Sequence, residues 1–369
     1  MFSSRTGSFN ELEQQRGCRN WKRWLGNHDL PSPDSLADVS EKMNCDDLHD
    51  CLGHIYHCLN RNKILQSIDG WMVAVIDGHE IGASYHRSCE NCLEREIEVG
   101  GEKRIQYYNR LVALQIISAN GYQFFLDMEM QLPGEDEVAA AHRLLERVIK
   151  NHPRSFDILL TDAIYLRPST LELLRGKNKH LVSVLKANQP ELLEEARTLM
   201  ETEPIEQFEQ SRAHSRKTVS LRDMEGFTTD TITEPLRIVW SNEVTEKRER
   251  INKEWREKTV ESDWFWATTM DSSLASTKSI FKLGHDRWRI ENEGFNELTS
   301  HWHADHYFHH HHNSIEVLWL ILFMAHATFH CFYRRNLKPE IKKGHTVIYF
   351  GRRMAAEIRV GNWWPPPPV

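Results

Sequence analysis

Two nearly uninterrupted apolar runs, each followed at once by an aspartate, constrain the fold of this chain more than any other feature. The first run is 71–76 and precedes Asp77, and the second is 156–161 and precedes Asp162. Runs of this kind are typical of strands that are buried on both faces of a sheet. We therefore expect an α/β sheet with both aspartates at the carboxyl ends of strands, where open α/β sheets bind ligands.

Helical and strand-like segments alternate around these runs. Further strands are predicted at 105–117, 122–130 and 180–185, and helices at 135–150, 169–175 and 190–200. Residues 203–268 interrupt this alternation, with short strands predicted at 218–221, 236–240 and 264–269 and a highly charged stretch between the last two. The pattern is typical of an α/β domain with a β-rich insertion.

The same pattern predicts five segments. They are an N-terminal helical accessory or DNA-binding segment (1–66), the first part of the α/β core (67–202), the β-rich insertion (203–268), the second part of the core with C-terminal helices (269–335), and a C-terminal tail (336–369). The polyproline end at 365–368 is expected to be disordered.

Charge and cysteine content limit the function classes. The net charge is -7, so a nucleic-acid-binding role would need a local basic groove rather than an overall positive charge. Seven cysteines, an odd number, together with a polar N-terminus, favour a reducing cytosol. The apolar run at 315–332 includes Glu316 and two histidines, which predicts a buried helix rather than a membrane span.

Two interpretations of the two aspartates are possible. A buried carboxylate is costly unless a cation offsets its charge, and oxygen ligands suit Mg²⁺ or Mn²⁺. Two such ions at carboxylates can support phosphodiester chemistry. In the other reading, Asp77 and Asp162 simply begin loops, where aspartate is common.

A third motif lies downstream and favours the metal reading. The segment 287–292 reads Arg-Trp-Arg-Ile-Glu-Asn, it is expected on a helix, and it follows the strand-like segment 264–269. Phe295 and Leu298 come after it. With these motifs in this order, the chain over about 65–335 resembles the bacterial insertion-sequence transposases of the insertion-sequence-four family.

The resemblance implies a ribonuclease H-like core, interrupted by a β-strand insertion, and a DNA transposase activity. It makes Asp77, Asp162 and Glu291 the catalytic carboxylates and the ligands of two Mg²⁺ ions, with Mn²⁺ as substitute. Arg287 matches the arginine that contacts DNA phosphate. The implied partners are the element's inverted-repeat ends, target DNA and a second copy of the chain in a homodimer. The implied location is the bacterial cytoplasm, at the nucleoid, with no membrane.

Two positions depart from the family pattern. The signature tyrosine three residues before Arg287 is Gly284, and the signature lysine seven residues after Glu291 is Leu298. Both family residues help to hold DNA, so the resemblance implies that those contacts come from elsewhere or are weaker. In the insertion, Arg212, Arg216 and Lys217 are candidates for phosphate contact.

Glu291 and Glu293 compete as the third carboxylate. On an α-helix, Glu291 shares a largely apolar face with Arg287, Gly294, Phe295 and Leu298, whereas Glu293 lies about 160° away on a polar face, where it can pair with Arg289. An inward carboxylate needs a cation, so Glu291 is the predicted ligand. Pairing with Arg287, one turn earlier, is the alternative role for Glu291.

Other signals favour packing or surface roles. The candidate metal clusters are Cys89 and Cys92 with His86; Cys51, His54, His57 and Cys58 on one helix; and the run His301, His303, His306 and His309 to His312. A structural zinc site usually has four ligands, so a partly buried helix face and a polar connector are the favoured interpretations. Trp240, Trp255 and Trp264 are candidates for stacking on an unpaired base, with packing as the default.

Two other functions stay open at this point. One is a ribonuclease H-like nuclease that cuts DNA without strand transfer. The other is a non-catalytic, DNA-binding remnant of a transposon.

Overall fold

The structure is a computed structural model that describes residues 1–212, 215–251 and 254–360. Its α-helices are α1 (Phe9–Gln14), α2 (Arg19–Trp24), α3 (Pro33–Lys42), α4 (Cys45–Arg61), α5 (Glu137–Asn151), α6 (Pro168–Arg175), α7 (Pro190–Met200), α8 (Thr277–Asp286), α9 (Asn296–Trp302), α10 (His312–Arg335), α11 (Pro339–Lys342) and α12 (Val347–Val360). A π-helical turn spans Ile290–Phe295, between α8 and α9.

The strands are β1 (Val73–Ser84), β2 (Leu93–Val99), β3 (Glu102–Ile117), β4 (Gln123–Met130), β5 (Ile158–Thr161), β6 (His180–Leu185), β7 (Glu206–Arg212), β8 (Ser215–Phe227), β9 (Leu236–Ile251) and β10 (Glu254–Thr268). Together with the helices they make a mixed α/β fold, as the sequence predicts.

The chain forms two compact units. Unit 1 comprises Met1–Gln66, Asp77–His152 and Ile290–Val369, and unit 2 comprises Ser67–Ile76 and Pro153–Arg289. Strand β1 is shared, because its first four residues belong to unit 2 and the rest to unit 1. These units do not follow the five predicted segments, whose boundaries stay a prediction.

Unit 2 contains the parallel strands that the apolar runs predict. β5 pairs in parallel with β1 and with β6. All four residues of β5 are buried, because α/β strands of this kind are covered on both faces. β10 then pairs antiparallel with β6, and the order continues through β9 and β8 to β7. The predicted β-rich insertion is therefore an antiparallel extension of the sheet in this unit.

The insertion strands are longer than the sequence predicts, and β7 was not predicted. The charged stretch expected between 240 and 264 lies within β9 and β10. Arg248 on β9 stands opposite Glu257 on β10, and the two form an ion pair at 2.7 Å. Charged residues that pair across neighbouring strands stabilise a hairpin even though their strand propensity is low.

In unit 1, β3 pairs antiparallel with both β2 and β4. Strand β2 was not predicted; its alternating exposed residues are glutamates, which are depleted in strands. Helix α5 begins after Asp136, whose side chain accepts a hydrogen bond from the Ala139 N–H, and it packs on β3 and β4. The four N-terminal helices α1–α4 lie within residues 1–66.

Helix α10 corresponds to the long apolar run. By length and composition alone it could cross a membrane, with a mean hydropathy of 1.6. Half of that window is buried inside the protein, and α10 packs against α3, α4 and β4. These contacts agree with the predicted buried helix.

The segment predicted as a C-terminal tail contains the helices α11 and α12, which reach residue 360. Phe350, Ala355 and Ile358 on α12 are buried, and Ile358 joins an apolar cluster with Leu12 and Trp21 of the N-terminal helices. Buried residues at this spacing hold one face of α12 against the N-terminal helices of the same unit. The polyproline end lies outside the described residues.

Candidate active site

Asp162 lies where the sequence predicts, directly after β5. Its carboxylate Oδ1 accepts a hydrogen bond from Lys186 Nζ at 2.8 Å, and its backbone carbonyl accepts one from the Ser183 hydroxyl at 3.1 Å. Lys186 follows β6, the parallel neighbour of β5, so the two strand ends bring this pair together. Lys186 is a functional candidate that sequence reasoning missed, because nothing local links it to Asp162.

Opposing effects set the charge of Asp162. Burial raises the pKa of its carboxyl, but the Lys186 hydrogen bond, the Ala163 N–H and the Arg287 guanidinium outweigh burial and hold that pKa below its usual range. Asp162 is therefore ionised at neutral pH. An ionised carboxylate at the end of a parallel strand is able to bind a divalent cation or to position a bound phosphate through its lysine partner.

Asp77 does not end its strand. β1 continues through it to Ser84, and Asp77 is the fifth residue of the strand. The prediction of a strand end was wrong because the apolar run ends where both faces of β1 become partly exposed, at residues 77–80, and not where the strand itself ends. The half-buried Asp77 carboxylate Oδ1 accepts a hydrogen bond from the Gly78 N–H at 3.0 Å.

A second carboxylate packs on β1 at Gly78, the residue that follows Asp77. A Cβ atom at Gly78 would stand 2.4 Å from the Glu137 carboxyl group, so this carboxyl group lies directly on the strand backbone. Glu137 opens α5 and pairs with Arg110 Nη1 at 3.1 Å. It is a further candidate that the sequence analysis missed, because 60 residues separate it from Asp77.

Glu291 lies in the π-helical turn, not on the predicted α-helix, because α8 ends at Asp286. π-Helical turns are rare and are frequent at functional sites. The face predicted to point inward is nevertheless buried: Gly294, Phe295 and Leu298 are buried, and Glu291 is half-buried.

Glu293 is exposed, as its predicted polar face requires. The side-chain amide of Gln123 donates a hydrogen bond to its carboxylate. On the segment before the turn, Arg289 lies 3.9 Å from Asp286, an ordinary pair one turn apart. These contacts leave Glu291 as the more inward of the two competing glutamates.

Arg287 has little surface to offer to DNA. It is 4 % exposed, and its guanidinium lies 5.0 Å from the centroid of the Trp288 ring. Its electrostatic effect lowers the pKa of Asp162, which belongs to the same unit. The phosphate contact implied by the resemblance stays a prediction, whereas the effect on Asp162 is visible in the structure.

Both departures from the family pattern have a physical basis. A Cβ atom at Gly284 would lie 2.3 Å from the Trp266 indole, which is fully buried and fills the space that a tyrosine would need. Leu298 is also fully buried, so a lysine there would place an ammonium group in the core. Neither position is able to hold DNA in this chain.

The basic residues proposed for DNA contact are already engaged. Arg216 is exposed and pairs with Glu209 on the neighbouring strand β7, with its Nη2 2.5 Å from Glu209 Oε1. Lys217 forms an ion pair with the buried Glu243, which His285 also contacts at 2.6 Å. Arg212 ends β7, and its side chain lies outside the described residues.

The cysteine and histidine clusters take other partners than the sequence suggests. Cys89 and Cys92 lie with His310 rather than with His86. On α4, Cys58 Sγ lies 3.5 Å from His54 Nε2 on an open helix face. The other clustered histidines at 301–312 lie mainly in the connector between α9 and α10, as predicted.

The tryptophans of the insertion pack against other rings. Trp240 stacks on Phe265 with ring centroids 5.0 Å apart, and Trp264 meets Trp288 edge-on at 4.8 Å. These contacts support the packing interpretation. The side chain of Trp255 lies outside the described residues.

The predicted triad is divided between the units. Asp77 and Glu291 belong to unit 1, and Asp162 belongs to unit 2 together with Lys186 and Arg287. All three acids offer oxygen ligands, and the ionised state of Asp162 fits a hard divalent cation such as Mg²⁺. That the three carboxylates bind the same two metal ions stays a prediction.

A mixed α/β sheet with an ionised acid at a parallel strand end is typical of enzymes that bind ligands at strand ends. The sequence matches the family described as the transposase DDE domain over residues 72–327, more than two thirds of the chain. The chain therefore belongs to the DDE transposase family. Membership implies a DNA-acting, phosphoryl-transfer enzyme of a family that typically uses divalent metal ions.

Two other comparisons add little. No curated protein matches the sequence. Among solved structures, the chain shows a likeness to the crystal structure of an S-adenosylmethionine-dependent methyltransferase from Clostridium acetobutylicum ATCC 824, at 9 % identity and a TM-score of 0.12. That likeness covers 35 % of this chain and 46 % of the other, and it carries no argument about fold or function.

Proposed function

We propose that this chain cuts DNA at the ends of its own transposable element and joins the freed 3′-hydroxyl to target DNA. Asp77, Asp162 and Glu291 are the proposed ligands of two Mg²⁺ ions, with Mn²⁺ as substitute. The single observation that carries the proposal is Asp162: in a chain of this family, it follows a buried parallel strand and is held ionised by Lys186 and Arg287.

The chemistry that such ions supply is positive charge at the scissile phosphodiester and its leaving oxygen. The chain's own residues bind and position. Lys186, beside Asp162, is able to hold a phosphate oxygen as a point charge, and the Glu137 carboxyl group packs on Gly78, the residue after Asp77. Buried Arg287 adds to the effect of Lys186 in holding the pKa of Asp162 below its usual range.

The finer assignments belong to the same proposal. The core is ribonuclease H-like, which the parallel strands β1, β5 and β6 of unit 2 support. Specific membership of the insertion-sequence-four family is supported by the Arg-Trp-x-Ile-Glu segment that ends at Glu291. A homodimer that brings two element ends together, in the bacterial cytoplasm at the nucleoid, completes the proposal.

The experiment uses the full-length, untagged protein, a linear DNA that carries both element ends, and a target plasmid. With Mg²⁺ or Mn²⁺ we expect 3′-hydroxyl ends and joined products, and with EDTA neither. Glu291→Gln is the inactive control. Cleavage without joined products would make the chain a nuclease, and binding without cleavage would make it a non-catalytic DNA-binding protein; either result overturns the proposal.

A further inference from the structure

A second group of metal-binding side chains lies in unit 1, apart from the three proposed catalytic acids. Glu297 on α9 and His326 and His330 on α10 place one ligand atom each within 4.8 Å of one another. His326 and His330 are four residues apart, so they share one face of α10. His330 Nε2 lies 2.9 Å from Glu297 Oε1, and His326 Nε2 lies 3.7 Å from Glu297 Oε2.

The buried histidine of this cluster lacks an ordinary partner. His326 is 2 % exposed, and neither of its ring nitrogens makes a hydrogen bond within the part of the chain that the structure describes. Buried polar groups are rarely left in this state, so each such group calls for an explanation. A metal ion bound at His326 Nε2 would supply the missing partner.

The protonation states also fit ligands. Burial lowers the pKa of His326 to about 4, so its imidazole is neutral at pH 7. Burial raises the pKa of Glu297, but contacts with His326 and His330 outweigh it and hold that pKa well below the usual range. One ionised carboxylate and a neutral buried imidazole are the forms that bind metals.

The cluster opens on a cavity. The cavity has a volume of about 520 Å³, and its lining includes Glu297, His326, His330, Gln123 and Asn296. It leaves room for water or another small ligand to complete the coordination. Arg5 is the competing cation, because its guanidinium also attracts Glu297, and it lies 4.9 Å from the centroid of the Trp302 ring.

We propose that Glu297, His326 and His330 bind one divalent transition-metal ion of the Zn²⁺ type, with open positions that face the cavity. Two nitrogen ligands and one oxygen ligand suit Zn²⁺ better than Mg²⁺. Such an ion links α9 to α10. Because α9 directly follows the π-helical turn, the ion stabilises the segment that carries Glu291.

The test uses the full-length, untagged protein with Cys89→Ser, which disrupts the cluster of Cys89, Cys92 and His310. The protein is stripped with EDTA, desalted, and titrated with Zn²⁺ or Co²⁺ alone, while calorimetry and thermal unfolding are measured. We expect one tight equivalent, a raised Tm, and a visible Co²⁺ absorption spectrum. Mg²⁺ at the same concentration is expected to produce none of these.

Two conservative variants, His330→Gln and Glu297→Gln, are compared with the exposed-histidine control His28→Gln. Loss of one ligand should weaken Zn²⁺ binding more than about a hundredfold, since even outer-shell changes cost 10–100-fold. Circular dichroism checks that each variant folds. The proposal is wrong if the variants bind Zn²⁺ and show the same rise in Tm as the control. It is also wrong if the Cys89→Ser protein itself shows neither Zn²⁺ binding nor a rise in Tm. DNA cleavage is not needed for this test, so it stands apart from the proposed transposase activity.

Discussion

Asp77 and Asp162 follow similar apolar runs but have different surroundings. Asp162 directly follows its strand and pairs with a lysine, whereas Asp77 lies inside a longer strand, and the Glu137 carboxyl group packs on the next residue, Gly78. Each surrounding belongs to its own unit. An apolar run therefore shows where a strand is covered on both faces, but it shows neither where the strand ends nor which charges surround the next residue.

The largest expected effect tests whether the two aspartates share one role in spite of this difference. Asp162→Asn and Asp77→Asn should each reduce cleavage of element ends more than about a hundredfold. Loss of a residue that only supports a metal ligand costs up to about a hundredfold, and loss of the ligand itself should cost more. Rates are measured with excess Mg²⁺, and DNA binding by gel shift should stay within about twofold. The exposed Glu172→Gln is the matched control in unit 2. Normal cleavage by either aspartate variant would remove that residue from the site.

The two competing glutamates give the next contrast. Glu291→Gln should abolish strand transfer and weaken Mn²⁺ binding, because Glu291 is half-buried in the π-helical turn. Glu293→Gln should change the rate less than about twofold, because an exposed surface substitution away from a site has small effects. Both rates come from the same joining assay. The reverse ranking of these variants would assign the third ligand to Glu293.

Lys186→Met tests the cation beside Asp162. Without this hydrogen bond the pKa of Asp162 rises, so the carboxyl is protonated at a higher pH as the solution is acidified. The acid limb of the cleavage rate should therefore move to higher pH, with about a tenfold lower rate at neutral pH. An unmoved acid limb would show that Lys186 does not act through Asp162.

Glu137→Gln tests the carboxylate that packs on Gly78, the residue after Asp77. We expect about a tenfold higher Mg²⁺ concentration for half-maximal cleavage and little change in the maximal rate at saturating Mg²⁺, as for a supporting residue. The control is Glu135→Gln, because Glu135 pairs with Arg143 in the same region but has no contact with Gly78. If both variants respond alike to Mg²⁺, Glu137 has only a structural role.

The smallest effect concerns the insertion. Arg216 is exposed and paired with Glu209, so Arg216→Gln should flatten the salt dependence of DNA binding by about one unit of slope if it contacts a phosphate. Binding is measured across a salt series. Lys282→Gln, on helix α8, is the comparison variant. An unchanged slope for Arg216→Gln alone would show that this part of β8 does not contact DNA.

Much of the fold follows from local sequence, but the partners at the site do not. The apolar run before Asp162 predicts β5, and the helical segments expected at 135–150 and 190–200 correspond to α5 and α7. Strand β7 and the outer parts of β9 and β10 escape prediction because their stability comes from pairs across strands. Lys186 and Glu137 escape it as well, because the fold alone brings them to residues far away in the chain.

The close packing of Gly284 and Trp266 limits the order in which this sequence can change. A direct Gly284→Tyr replacement meets a filled space, and overpacking of a core costs about 1–3 kcal/mol or more. A smaller residue at 266 would have to come first, and that intermediate would carry an empty core volume of its own. The two positions are therefore coupled, because a tyrosine at 284 requires two coordinated changes, each of which is unfavourable alone.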